Sequence, residues 1–154
     1  MADQDRNRRV VIIGSDHAGF EAKSHVTDYL GRMGYSVLDL GTHSPESVDY
    51  PDFGVAVAKA LPKHKDATGI VICGTGIGVS IAANKVAGAR AALCTSPYHA
   101  EMARRHNNAN ILALGARTTT FEEMDAILDV WFATEFEGGR HQRRVDKIHS
   151  LTQK

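Results

Sequence analysis

A chain of 154 residues, 43% hydrophobic and 23% charged, can bury one core without disulfide or metal staples. Its 18 basic residues balance 18 acidic ones, so no overall field draws it to nucleic acid or to a membrane surface. No run approaches the roughly 20 apolar residues of a membrane span. Two cysteines are too few for a secreted disulfide framework, and the polar start, Met1 to Arg9, has no apolar run behind it. The expected setting is the reducing cytoplasm.

In chain order, residues 1–9 read as an arm ahead of the first strand, Val10 to Ile13, which Gly14 closes. Apolar residues at helical spacing predict a helix from about Gly19 to Met33, stopped by Gly34. Ser36 to Leu40 is a short second strand. The polar segment Gly41 to Asp52, with two prolines, reads as a loop, and such loops are often functional. Phe53 to Leu61 is the next helix, ended by Pro62. Gly69 to Cys73 is the third strand, and a glycine turn then leads into an alanine-rich helix through about Lys85. Arg90 to Cys94 and Ile111 to Leu114 are the fourth and fifth strands. Helices are expected over Pro97 to Arg105, Phe121 to Phe136 and His141 to Leu151. Strands alternating with helices predict one domain over residues 1–154: a doubly wound, Rossmann-like α/β sandwich of three layers around five parallel strands, of undetermined order.

Ligands of such sheets bind beyond the carboxyl ends of the strands. The polar residues falling there are Asp16, His17, Cys73 with its glycine turn, Ser96 and Arg117. Gly74-Thr75-Gly76-Ile77-Gly78 is the sharpest signal, because closely spaced glycines expose backbone N–H groups and the helix that follows favours negative charge. It is not a phosphate-binding loop of the Gly-Lys-Ser/Thr kind, since Val79 follows Gly78. Val79 also stands where the dinucleotide fingerprint needs its last glycine. What remains is an oxyanion cradle directly after a thiol, where a thiolate is stabilised and Thr75 could orient the sulfur. A buried, inert cysteine is the competing reading for Cys73, and the favoured one for Cys94, which has no glycine turn. His106 ends a helix, where a histidine also complements the dipole. Arg140 and Arg144, four apart, could clamp one phosphate or simply face water. The eight histidines show no HExxH, no Cys-x-x-Cys and no paired His–carboxylate spacing, so neither metal nor cofactor is expected.

Six segments in register carry a resemblance: Gly14 to Phe20, Asp49 to Pro51, Cys73 to Gly78, Ala82 to Lys85, His106-Asn107 and Glu137 to His141. Together they resemble the type B ribose-5-phosphate isomerases, in the wider family that includes galactose-6-phosphate isomerase subunits, from about Val10 to Leu151. The resemblance implies reversible isomerisation of ribose 5-phosphate and ribulose 5-phosphate, with Cys73 as proton acceptor and His106 opening the sugar ring. It also implies substrate contacts from Asp16 and His17, enediolate stabilisation by the backbone of Gly74, Thr75, Gly76, Ile77 and Gly78, and sugar hydroxyls on Asn107. Arg117, Arg140 and Arg144 would hold the phosphate, with help from His17. Family members that lack this cysteine carry a glutamate after the glycine turn; Val79 there supports the cysteine version. A homodimer or a dimer of dimers with shared sites is implied. A six-carbon sugar phosphate is the first alternative substrate, with the 41–52 loop and His43 shaping the pocket. A non-catalytic binding module or thiol regulator is the second alternative.

Overall fold

The computed structural model describes residues 9–152, so the expected arm lies outside the described residues except for Arg9. Five strands, β1 (Val10–Ser15), β2 (Ser36–Asp39), β3 (Thr68–Cys73), β4 (Ala91–Leu93) and β5 (Ile111–Gly115), form one all-parallel sheet in the order β2-β1-β3-β5-β4. Six helices flank it: α1 (Phe20–Arg32), α2 (Tyr50–Ala60), α3 (Ile77–Asn84), α4 (Pro97–Asn107), α5 (Phe121–Ala133) and α6 (Arg140–Thr152). The doubly wound reading holds.

Because side chains alternate along a strand, each central strand feeds both faces of the sheet. Val11, Ile13, Ile70, Ile72, Leu112 and Leu114 pack with Val26 and Leu30 of α1, Ala100 of α4, and Met124, Leu128 and Trp131 of α5. Ile12, Val71, Cys73, Ile111 and Ala113 pack with Val57 of α2 and with Val79 and Ala83 of α3. Each large aliphatic side chain so buried contributes about 1.5–3 kcal/mol.

Two helix ends differ from the sequence reading by three residues. The second helix begins at Tyr50 rather than Phe53, with Pro51 in its first turn, where the fixed φ of proline is already helical. The fifth stops at Ala133 rather than Phe136, and there Thr134 Oγ1 donates back to Val130 O (2.6 Å). The stop at Gly34 is as expected: it takes a left-handed φ of 94°, and Tyr35 N–H bonds back to Leu30 O (3.0 Å).

Lys23, 3% exposed on α1, is held by both carboxylate oxygens of Asp39 at 2.7 and 2.5 Å, and Asp39 also accepts from Gly41 N–H (2.8 Å). This pair ties the end of β2 and the start of the following loop to α1. Asp39→Ala leaves the ammonium buried and unpaired. The expected cost is about 3 kcal/mol, the low end for a buried pair because Asp39 keeps some solvent. Urea unfolding should show a lower midpoint at unchanged m-value.

Candidate active site

The chain runs from β1 outward to β2 and then returns to β3 on the other side of β1, which opens a crevice at the carboxyl ends of β1 and β3. Asp16 N–H bonds to Ile72 O (3.2 Å), so the end of β1 lies directly beside Cys73. Asp16 is buried and caps the short 3-10 turn His17–Gly19 by accepting from Gly19 N–H (3.1 Å). His17 Nδ1 lies 3.1 Å from both the N–H and the C=O of Val48. That residue sits in the 41–52 loop, so the loop fixes the imidazole and leaves Nε2 available to a ligand. Sequence reasoning missed Val48, because its contribution is backbone alone.

Cys73 ends β3 and is 4% exposed. Its Sγ accepts a hydrogen bond from Gly76 N–H (3.2 Å). Gly76 adopts φ +78°, and a Cβ there would come 2.6 Å from Leu93 Cδ1 and 2.9 Å from the Leu114 carbonyl carbon. Only glycine brings this N–H onto the sulfur. The expectation that Thr75 orients the sulfur is corrected: the Thr75 hydroxyl accepts from Ile77 N–H (3.3 Å) at the start of α3, and the glycine amide holds the thiol. Past β5, Ala116 N–H and Arg117 N–H bond to Cys73 O (2.9 Å) and Gly74 O (2.8 Å). The Arg117 guanidinium lies over Gly74, with Nη1 3.1 Å from where a Cβ would stand. Asp16, His17, Cys73, the turn from Gly74 to Gly78 and Arg117 thus converge at one edge of the sheet.

Cys94 is a different kind of thiol. Burial pushes its pKa up to about 12, and Sγ faces Ala92 O at 3.7 Å. It packs with the α1, α4 and α5 face, whereas Cys73 packs with α2 and α3. The two sulfurs are on opposite sides of the sheet, which removes Cys94 as a resolving partner for a thiol redox cycle.

His106, Asn107, Arg140 and Arg144 lie elsewhere. Helix α4 starts beyond the carboxyl end of β4 and runs back along the sheet for 11 residues, about 16 Å. Three residues after Asn107, Asn110 O accepts from Gly69 N–H (2.9 Å) at the start of β3, four residues and about 13 Å before Cys73. His106 and Asn107 are therefore at the amino edge of the sheet. Helix α6 joins them there: Glu137 N–H bonds to Arg105 O (3.0 Å), and His149 reaches Arg90, just ahead of β4, at 3.0 Å. Arg140 and Arg144 stand exposed on α6. Within one chain the expected site is split into two halves at opposite ends of the sheet.

The second half holds two residues to which the sequence assigned no role. The rings of His106 and His141 stack in parallel, with centroids 4.2 Å apart. Glu137 Oε1 lies 3.2 Å from Arg105 Nε and 4.0 Å from His106 Nε2, and its Oε2 lies 3.4 Å from His141 Nε2. Burial and the neighbouring His106 and Arg140 charges push the pKa of His141 down, against the pull of Glu137. Glu137 and His141 are a His–carboxylate pair four residues apart, which corrects the expectation that no such spacing exists.

Known proteins share this sequence pattern and this fold. Residues 11–148 match the family described as Ribose/Galactose Isomerase. The chain is 44% identical to ribose-5-phosphate isomerase B of Escherichia coli over 144 residues, covering 94% of this chain and 97% of that one. The fold superposes with a TM-score of 0.90 on the Clostridium thermocellum ribose-5-phosphate isomerase B, at 53% identity over 93% of this chain and 97% of that chain. The Mycoplasma genitalium ribose-5-phosphate isomerase B with bound ribulose 5-phosphate also gives 0.90, at 43% identity over 95% and 97% of the two chains. On matched length, identity and fold, the chain belongs to the ribose/galactose isomerase family.

Proposed function

We propose that this protein interconverts D-ribose 5-phosphate and D-ribulose 5-phosphate through an enediolate, with Cys73 as the base, in an assembly whose sites are each shared by two chains. The observation that carries the reading is the buried Cys73 sulfur held by Gly76 N–H at the opening of α3. That hydrogen bond fixes the sulfur at the positive end of the helix, placed to lift a proton from C2 and return it at C1. The N–H groups that open α3 stabilise the negative charge developing on the enediolate oxygen, each such donor contributing about 10²–10³ in rate. The exposed Thr75 hydroxyl accepts from the backbone and keeps its proton to donate.

His106 opens the furanose, as suits an imidazole that can act as general acid and base, and Asn107 takes sugar hydroxyls. In one chain both lie at the far edge of the sheet from Cys73, so they serve the Cys73 of a second copy. Arg140 and Arg144 travel with them, meeting the phosphate opposite His17 and Arg117. An apolar surface suited to a second copy borders the glycine turn. Ile77 and Ile81, four apart on α3, stand 52% and 55% exposed beside Tyr50, whose ring packs on Gly78. The reading has no metal in its chemistry, and among the described residues no helix is long and apolar enough to cross a membrane.

The direct test is ketose formation from ribose 5-phosphate by purified protein. Turnover supports the five-carbon reading; inactivity there with turnover of galactose 6-phosphate moves the substrate to the six-carbon class. Arg144→Ala should raise KM about tenfold or more with kcat little changed, on about 1.5–3 kcal/mol for a charged hydrogen bond made equally in ground and transition states. An unchanged KM removes Arg144 from the phosphate site.

A further inference from the structure

We infer that His106, Glu137 and His141 form a site for a divalent transition ion of the zinc class, and that the ion inhibits by capturing His106. The ligand atoms of the three residues all lie within 4.8 Å of one another. An independent observation points the same way: His141 is 6% exposed, and its Nε2 makes no hydrogen bond among the described residues although it faces the carboxylate of Glu137. Two imidazoles and one carboxylate are a zinc ligand set, and three protein ligands leave the fourth position open.

Bonds of about 2.0–2.2 Å require the two Nε2 atoms to approach each other to roughly 3.3 Å and the parallel stack to splay. His106, half-exposed at the end of α4, is the ring free to turn. Arg105 holds Oε1 of Glu137, which leaves Oε2 for the ion. The nearby cationic side chains Arg105, Arg140 and Arg144 oppose a divalent charge, so the site suits an ion that binds through directional nitrogen bonds over calcium or magnesium. The binding site stands on geometry alone; inhibition rests on the ring-opening role proposed for His106.

Calorimetric titration of the full-length protein with zinc chloride, beside Glu137→Gln, His141→Gln and Cys73→Ala, tests the site. One zinc per chain is expected in the parent and in Cys73→Ala, with affinity at least tenfold weaker in Glu137→Gln and His141→Gln. Glu137 is exposed, so its variant keeps the test open if His141→Gln fails to fold. Isomerase activity, scaled to each active protein's own zinc-free rate, should fall at the zinc concentration that fills the site and return with EDTA. Absence of zinc binding by the parent, unchanged affinity in Glu137→Gln, or loss of binding in Cys73→Ala would overturn the inference. A protein that binds zinc as described but turns over no sugar phosphate keeps the site and loses the isomerase reading.

Discussion

Cys73→Ala should lower turnover of ribose 5-phosphate by roughly 10³-fold or more while leaving the fold in place, since a positioned acid–base group contributes about 10²–10⁴ and in the proposed reaction Cys73 carries the proton in both halves. The thiol sits at the end of β3 among Ile12, Val71 and Val79, so an alanine fills most of the space, and the lost contacts are few. Unfolding by urea should therefore move little. Cys94→Ala is the contrast: that thiol is buried on the other face with its pKa pushed up to about 12, so its removal should spare activity. A Cys73→Ala enzyme at near-parental rate would remove the base assignment, and the glycine turn would then be an anion cradle with no base beside it.

Much of this site was legible in the sequence, and the reasons are local. Buried parallel strands are continuous apolar runs, so β1, β3 and β5 announced themselves. Cys73 and the turn after it are contiguous in sequence, so the thiol and its glycine donor could be read together. The stop at Gly34 needed only the left-handed freedom of glycine. Strand order was not legible, because the excursion from β3 to the edge strand β4, with β5 filling the gap, is a tertiary choice.

The parts of the site that were missed depend on distant segments or on backbone. Val48 acts on His17 through main-chain atoms 31 residues away. Thr75 looked suited to orient the sulfur by proximity in sequence, but its hydroxyl accepts from Ile77 N–H instead. Glu137 and His141 carry no role legible in the sequence, because their meeting with His106 requires α6 to fold back against the end of α4. The division of the site between two edges follows from α4 running antiparallel to the strands. That geometry was implicit in the α/β pattern, yet only the positions of Asn110 beside Gly69 and Glu137 beside Arg105 make it concrete.

That division is the centre of the account, and one measurement tests it most directly. Chains carrying Cys73→Ala and chains carrying His106→Ala with Arg144→Ala are each expected to be inactive as homodimers. Co-expressed with different tags and purified through both, they give a heterodimer in which one site has both defects and the other has none. With two-fold related sites built from both chains, that heterodimer should isomerise ribose 5-phosphate at roughly half the parental rate per dimer. A heterodimer as inactive as its parents, or chains that never co-purify, would contradict the shared site and place His106 and the arginines outside the chemistry of Cys73.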